Sequence, residues 1–285
     1  MKGIVLAGGN GTRLWPLTAV TSKQLLPVYD KPLIYYPIST LMLAGILDIL
    51  IITRPEDLIQ FRKLLGDGEK FGIRIQYQTQ ERASGIAEAF IIGEDFIGSD
   101  SVCLILGDNI FYGQGLGGQL KSIVVEDSAT IFGYEVANPQ RYGVIEMDDQ
   151  GNPLSIAEKP LSPKSKFAVP GIYFYPSGVV DMAKSLSPSA RGELEITDLN
   201  LRYLEKGSLK CCILGRGTMW FDTGTIKSLN DASNFLRVLE ERQGVKVGVP
   251  EEIGLRNNYL SFETLKASLM SYPENEYRHY LEDLF

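Results

Sequence analysis

Histidine is nearly missing from this chain: the single residue, His279, stands in the tail, so the chemistry is expected to run without an imidazole relay. Cysteine is scarce as well. Of three residues, Cys103 lies inside an apolar run and Cys211 and Cys212 are adjacent, which provides neither a disulfide framework nor metal-ligand spacing and suits a reducing cytoplasm. Positive charge is in deficit, with 28 Lys and Arg against 35 Asp and Glu and a net charge of -7. A phosphate-backbone binder needs the opposite excess on one face, so no nucleic-acid partner is expected, although a small anion can bind locally. No apolar run approaches the ~18 residues of a membrane span. Met1-Lys2-Gly3 leads straight into a short apolar strand rather than a signal peptide, so no membrane partner and a cytoplasmic location are expected.

What is present describes a globular α/β protein. Hydrophobic residues make up 44% of 285 and charged residues 22%, without repeats or low-complexity tracts; the length suits one large domain with a C-terminal appendage. Strand candidates in the first half are Gly3 to Ala7, Ile49 to Thr53, Ile73 to Tyr77 and Val102 to Leu106. The runs Ile49 to Ile52 and Val102 to Leu106 do not alternate, which implies burial on both faces and a mostly parallel central sheet flanked by helices. Helices are predicted from Pro55 to Leu65 and from Ser84 to Ile92, with Ser84 as the cap of the second. Past Thr130 the strands shorten: Thr130 to Val136, Gly143 to Met147, Leu154 to Ala157 and Gly171 to Tyr175. Helices follow over Ser177 to Ser185, Ile196 to Lys206 and Lys227 to Gln243, and the tail reads as a small helical appendage. The expected organisation is a domain over 1–243, divided at about 128/129, and an appendage over 244–285.

Three glycines follow the first strand in Leu6-Ala7-Gly8-Gly9-Asn10-Gly11-Thr12-Arg13-Leu14. They let backbone N–H groups close on an anion, and Arg13 adds a planar fork for phosphate. The spacing fits neither the dinucleotide fingerprint nor the ATPase phosphate loop. Such turns are also ordinary connections after strands. Lys23, in Thr21-Ser22-Lys23-Gln24-Leu25-Leu26-Pro27, could hold triphosphate oxygens, or be a solvated surface lysine. Asp108 emerges from the buried strand in Gly107-Asp108-Asn109, where parallel sheets place ligand chemistry, although Asp-Asn is also a common turn. Met219-Trp220-Phe221-Asp222-Thr223-Gly224 offers a second acid after a second apolar stretch.

The paired blocks Gly8 to Thr18 and Ser22 to Pro27 resemble the signature of bacterial glucose-1-phosphate thymidylyltransferases, G-G-x-G-T-R-L-x-P-x-T followed by S-K-Q-L-L-P. That resemblance implies a Rossmann-like nucleotidyltransferase fold whose first half binds the nucleotide and whose β-rich second half binds the sugar. It places Gly8, Gly9, Gly11, Thr12 and Arg13 around the triphosphate, with Lys23 and Gln24 beside it, and Mg²⁺ shared by Asp108 and Asp222. The base is expected near Gln80 and Gly85, since a glutamine amide offers a donor and an acceptor to the imide edge of thymine or uracil. Further blocks around Arg141 to Val144, Glu158 to Pro160 and Gly192 to Asp198 resemble the family's sugar-phosphate pocket. They imply Lys159 on the phosphate of glucose 1-phosphate and Glu158 and Glu193 on sugar hydroxyls. Asn109, Tyr142, Gly143, Val169 and Asp222 complete that side. The chain departs from the family in two places: Gln80 to Ile86 lacks the usual prolines, which implies a less rigid loop, and Pro170 stands where threonine is usual.

The implied reaction is an in-line displacement at the α-phosphorus of dTTP, with Arg13, Lys23, Lys159 and Asp108 as its catalytic residues. The product would serve deoxysugar and cell-surface polysaccharide synthesis. A homotetramer with feedback by a downstream deoxysugar nucleotide is implied too, through segments around Ile110 to Gly115 and Glu251 to Asn257. Competing readings are a uridylyl- or cytidylyltransferase, a sugar-nucleotide binding module without chemistry, and a nicotinamide oxidoreductase, the last disfavoured by the missing fingerprint.

Overall fold

The computed structural model describes residues 1–284. Its strands in the first half are β1 (Lys2–Ala7), β2 (Pro27–Val28), β3 (Lys31–Pro32), β4 (Asp48–Thr53), β5 (Arg74–Thr79), β6 (Val102–Leu106) and β7 (Asn109–Tyr112). The second half supplies β8 (Ala129–Glu135), β9 (Gly143–Met147), β10 (Pro153–Glu158), β11 (Phe167–Ala168), β12 (Ile172–Tyr175), β13 (Leu209–Ile213) and β14 (Met219–Asp222). The helices are α1 (Tyr35–Leu43), α2 (Leu58–Leu65), α3 (Glu88–Ile92), α4 (Glu94–Ile97), α5 (Leu116–Lys121), α6 (Val179–Lys184), α7 (Ile196–Glu205), α8 (Ile226–Gln243), α9 (Pro250–Arg256), α10 (Phe262–Leu269) and α11 (Glu276–Glu282).

Alternate residues of each central strand enter opposite layers, as a two-residue period requires. Val5, Ile49, Ile51, Cys103 and Ile105 pack with Ile38 and Leu41 of α1 and Phe61 and Leu65 of α2. Ile4, Leu50, Ile52, Val102 and Leu104 pack on the other side with Phe90 of α3, Val179 of α6 and Leu199 of α7. Each such aliphatic side chain stabilises the fold by roughly 1.5–3 kcal/mol relative to exposure, so the two-sided apolar runs fix the layers.

The main sheet runs β10-β9-β11-β8-β12-β6-β1-β4-β5, with β13 beside β8 off that path. Strands β6, β1, β4 and β5 are mutually parallel, and β12 pairs antiparallel with β6 where the β-rich half begins. The chain leaves β1 toward β4, while β6 returns on the opposite side of β1. This reversal opens a crevice at the carboxyl ends of β1 and β6, the usual ligand position of an open α/β sheet.

Beyond α8 the chain turns at Gly244, in the left-handed conformation with φ 66°, and three short helices follow around Val249, Leu260, Leu265, Leu269 and Leu281. Of the appendage expected over 244–285, residue 285 lies outside the described residues. Glu251, wholly buried, accepts hydrogen bonds from the Tyr272 and Tyr277 hydroxyls at 2.8 and 2.7 Å.

One local expectation is corrected. Ser84 does not cap a helix: α3 begins at Glu88, and the Ser84 carbonyl instead accepts the Leu194 N–H at 2.7 Å. The Leu194 carbonyl in turn accepts the Ala87 N–H at 3.1 Å, joining the loop before α3 to the segment before α7.

Candidate active site

The glycine turn after β1 is shaped by close approaches that no side chain could share. Gly11 sits at φ 60°, and a Cβ there would lie 2.8 Å from the Thr18 methyl; the turn therefore demands glycine on both counts. A Cβ on Gly8 would lie 2.7 Å from Oε1 of Gln80, so the turn packs directly on the amide. Thr12–Leu14 forms one 3₁₀ turn, after which the Arg13 guanidinium rests against Gly224, where a Cβ would be 2.7 Å from Nη2.

Asp108 and Asp222, separated by more than a hundred positions, meet through a two-stranded ladder. β7 pairs antiparallel with β14 so that Asn109 stands opposite Asp222. The Thr223 N–H and hydroxyl both donate to the Asp108 carbonyl, at 3.0 and 2.8 Å, and lock the register. Immediately after it, Thr225 and Ser228 form a reciprocal capping box that starts the 18-residue α8, fixing the exit from the acid.

The two carboxyls sit in unequal fields. Burial alone would raise Asp108, but the charge and hydrogen bond of Lys23, with the Asn109 amide donating at 2.9 Å, hold it below the ordinary aspartate value. Asp222 is pushed up, by burial and then by the negative charge of Asp108. Two neighbouring carboxyls, one ionised and one strained by it, are the environment a hard cation relieves. With phosphate and water as further ligands they form a donor set suited to Mg²⁺, which keeps part of its shell outside the protein. Among the described residues no cluster of three or more His, Cys, Asp or Glu gathers as a metal nest.

A cleft of about 610 Å³ joins these parts. Among the residues lining it are Gly8, Gly9, Thr12, Arg13, Gln80 and Gly85, then Tyr142, Gly143, Glu158, Lys159, Val169 and Glu193, together with Asp108, Asn109 and Asp222. Lys159 adopts φ 42°, unusual for a residue with a side chain, and its ammonium lies 2.9 Å from Glu158 Oε1. Backbone conformations of this kind concentrate at functional sites. The other oxygen of Glu158 accepts from the Thr197 hydroxyl at 2.7 Å. A Cβ on Gly143 would meet Glu158 Oε2 at 3.4 Å, so the wall there is closely drawn.

Three expected nucleotide residues, Gly11, Lys23 and Gln24, are not among those lining the cleft. Gly11 shapes the turn itself. Lys23 reaches the cleft indirectly, by pairing with Asp108. Gln24 is 1% exposed and accepts from the Ser22 hydroxyl at 2.5 Å, with its methylene under Gly107; its short link to Ser22 turns the amide into a packing element.

The family pattern described as "Nucleotidyl transferase" matches residues 2–238, nearly all of the sheet and both walls of the cleft. The chain belongs to the nucleotidyl transferase family. Among curated relatives, the glucose-1-phosphate thymidylyltransferase of Mycolicibacterium smegmatis is 55% identical over 100% of this chain and 99% of that protein. That of Neisseria meningitidis is 56% identical over 99% and 98% respectively. Among solved structures, a Bacillus anthracis protein described as such a thymidylyltransferase, in complex with sucrose, superposes with a TM-score of 0.77. It is 43% identical, across 83% of this chain and 95% of that one. A UDP-glucose pyrophosphorylase complexed with UDP-glucose shares the fold at a TM-score of 0.71 with 23% identity, covering 84% and 98% of the two chains.

Several residues of this nucleotidyl transferase site had no separate signal in the sequence. Arg141 and Arg191 line the cleft and add positive charge near Lys159. Arg191 is aimed by Glu195, whose oxygens accept from it at 2.9 Å. Trp220 packs on Tyr142 with ring centroids 5.0 Å apart, and its Nε1 donates to Asn109 Oδ1 at 2.6 Å. The Gly171 N–H also donates to that oxygen, at 3.1 Å. Asn109 is thereby pinned with its amide nitrogen on Asp108. Arg141 stood in a sequence block and Arg191 just outside one, and their convergence on the cleft depends on tertiary contacts.

Proposed function

We propose that the protein transfers a deoxythymidylyl group from dTTP to glucose 1-phosphate, giving dTDP-glucose and pyrophosphate. What supports this reading is a single cleft lined by the glycine turn and Arg13, by the paired acids Asp108 and Asp222, and by Lys159 and Glu158. The names of relatives matched over essentially the whole chain support the same substrates.

An oxygen of the sugar phosphate forms a bond to the α-phosphorus as the bond from that phosphorus to the bridging oxygen of pyrophosphate breaks. The nucleophile is already anionic, so no enzyme base or covalent intermediate is required. The difficulty is bringing two polyanions together, since at ~4 Å two unit charges in a partly screened site repel by about 4 kcal/mol. Catalysis then comes from position and charge neutralisation. Arg13 and the amides of the glycine turn hold the triphosphate. Lys159 holds the sugar phosphate, joined by Arg191. Glu158 and Glu193 accept hydrogen bonds from the ring hydroxyls, and Tyr142, Gly143 and Val169 shape its seat. Lys23 keeps Asp108 ionised and turned toward Asp222. Mg²⁺ held by Asp108 and Asp222 would neutralise charge on the α-phosphate when bound.

Uracil shares the imide edge of thymine and lacks only a methyl, worth about 1–3 kcal/mol in a good pocket. A uridylyltransferase reading therefore uses the same contacts. Pyrophosphate release with glucose 1-phosphate and a panel of dTTP, UTP, dCTP and ATP separates them: the highest kcat/KM with dTTP is expected, and a preference for UTP or no release overturns the proposal.

We also assign the nucleotide to a half over about 1–128 and the sugar to a half over about 129–243, a division that the residues lining the cleft support. No helix among the described residues is long and apolar enough to cross a membrane; a cytoplasmic place in deoxysugar synthesis fits the free cysteines and the substrates. We also propose a homotetramer, which would cover exposed apolar side chains such as Met270 and Val245.

A further inference from the structure

A glutamine that reads a base must present one defined end of its amide, and here that choice is imposed by two acceptors. Gln80 is 5% exposed, and its Nε2 donates to the Gly85 carbonyl at 3.1 Å and to Oε2 of Glu88 at 2.7 Å. A carbonyl and a carboxylate accept and do not donate. The amide nitrogen is therefore committed to the protein through both of its hydrogens. Rotating the amide would set its oxygen against two other oxygens. Oε1 is left beside Gly8, at the wall of the cleft, and among the described residues it accepts no hydrogen bond.

We propose that Glu88 is a positioning residue for base selection: by holding the Gln80 amide it leaves a lone acceptor facing the cleft, which suits a pyrimidine with a ring N–H and refuses cytosine. This rests on the reading that Gln80 faces the base. Thymine and uracil carry N3–H at the centre of their pairing edge, whereas cytosine carries an unprotonated N3 there. Against a fixed Oε1 the first makes a hydrogen bond and the second sets two lone pairs together. An unmade hydrogen bond in a dry site is more costly than a made one is favourable, so discrimination follows chiefly from rejection. Glu88 supplies the stronger of the two restraints, because a bond to an ionised acceptor is roughly twice as strong as a neutral one. Without it the amide is held by the Gly85 carbonyl alone. The sequence reading gave Gln80 both a donor and an acceptor for the base; the structure leaves it the acceptor.

The test compares kcat/KM for dTTP and dCTP, at saturating glucose 1-phosphate, in the wild type, E88L, E88Q and Q80A, with folding checked by circular dichroism. Glu88 is half-buried at the first position of α3, and E88A replaces E88L if the latter does not fold. E88L is expected to lower the dTTP-over-dCTP ratio about tenfold or more, through the nucleotide KM, while the KM for glucose 1-phosphate is unchanged. E88Q, whose amide oxygen can still accept from Gln80, is expected to lie between wild type and E88L; a purely structural role would not produce that order. A wild-type ratio in folded E88L, with Q80A still raising the KM for dTTP, overturns the role of Glu88 alone. An unaltered KM for dTTP in Q80A overturns the base-facing reading itself.

Discussion

Asn109 stands opposite Asp222 across the β7–β14 ladder, and that single register brings the carboxyl of Asp108 beside that of Asp222. A one-residue slip would turn one of the two acids to the other face. Thr223, donating twice to the Asp108 carbonyl, prevents it.

Replacing either acid tests the pair, and the two replacements differ in kind. Asp108 forms a largely buried ion pair with Lys23, so Asp108→Asn strands a cation and is expected to cost stability of about 3–5 kcal/mol along with activity. Asp222 is already pushed toward its neutral form, so Asp222→Asn should fold like the wild type. Its turnover, followed by pyrophosphate release, is expected to fall on the order of 100-fold or more. Near-normal turnover in folded Asp222→Asn removes it from the catalytic pair.

Lys159→Ala distinguishes the two ends of the cleft. Its ammonium lies 2.9 Å from Glu158 Oε1, in the part of the cleft proposed to face the sugar. The expected result is a KM for glucose 1-phosphate raised about tenfold or more, with the KM for dTTP nearly unchanged. Selective loss of dTTP binding would mean that the walls are assigned the wrong way round.

Gly8→Ala probes the opposite wall without adding charge. The new methyl would stand 2.7 Å from Gln80 Oε1, too close for either to stay in place. A raised KM for dTTP with an unaltered KM for glucose 1-phosphate is expected from steady-state kinetics. Equal effects on both substrates would show that the turn is felt across the whole site.

Glu251 yields a pH dependence outside the active site. Its carboxyl is raised above the ordinary glutamate value of 4.5 by burial, which outweighs the two tyrosine hydrogen bonds and the charge of Lys70. A raised folded-state value favours the protonated form, so its stabilising contribution is full below 4.5 and is lost as pH rises through the raised value. Thermal melts of the wild type and Glu251→Gln should therefore diverge with pH, the variant gaining on the wild type as pH rises above 4.5. A constant difference would show that the site does not titrate in that window.

The parallel layers were legible because Ile49 to Ile52 and Val102 to Leu106 are apolar without alternation, and Val102–Leu106 is the observed β6 to the residue. The turn at Gly8 to Arg13 was legible through its pairing with the block Ser22 to Pro27, since a glycine turn after a strand is by itself an ordinary connection. Helix α1 was not foreseen: Tyr35 to Met42 are all buried, so it shows no polar face and no helical period. Strand β13 escaped notice because Leu209 to Ile213 mixes lysine and half-buried cysteines at the side of β8. Asp108 and Asp222 could be named singly, but their neighbourhood depends on a ladder between β7 and β14 that pairs distant segments. The aim of the Gln80 amide was likewise invisible, since it depends on Glu88, eight positions later at the start of α3.

The most direct test of the account is a crystal structure with a non-hydrolysable dTTP analogue and Mn²⁺, using anomalous scattering to locate the ion. An anomalous peak between the Asp108 and Asp222 carboxylates is expected, with the triphosphate lying along Gly8 to Arg13. An ion coordinated elsewhere, or a triphosphate away from that turn, would contradict it.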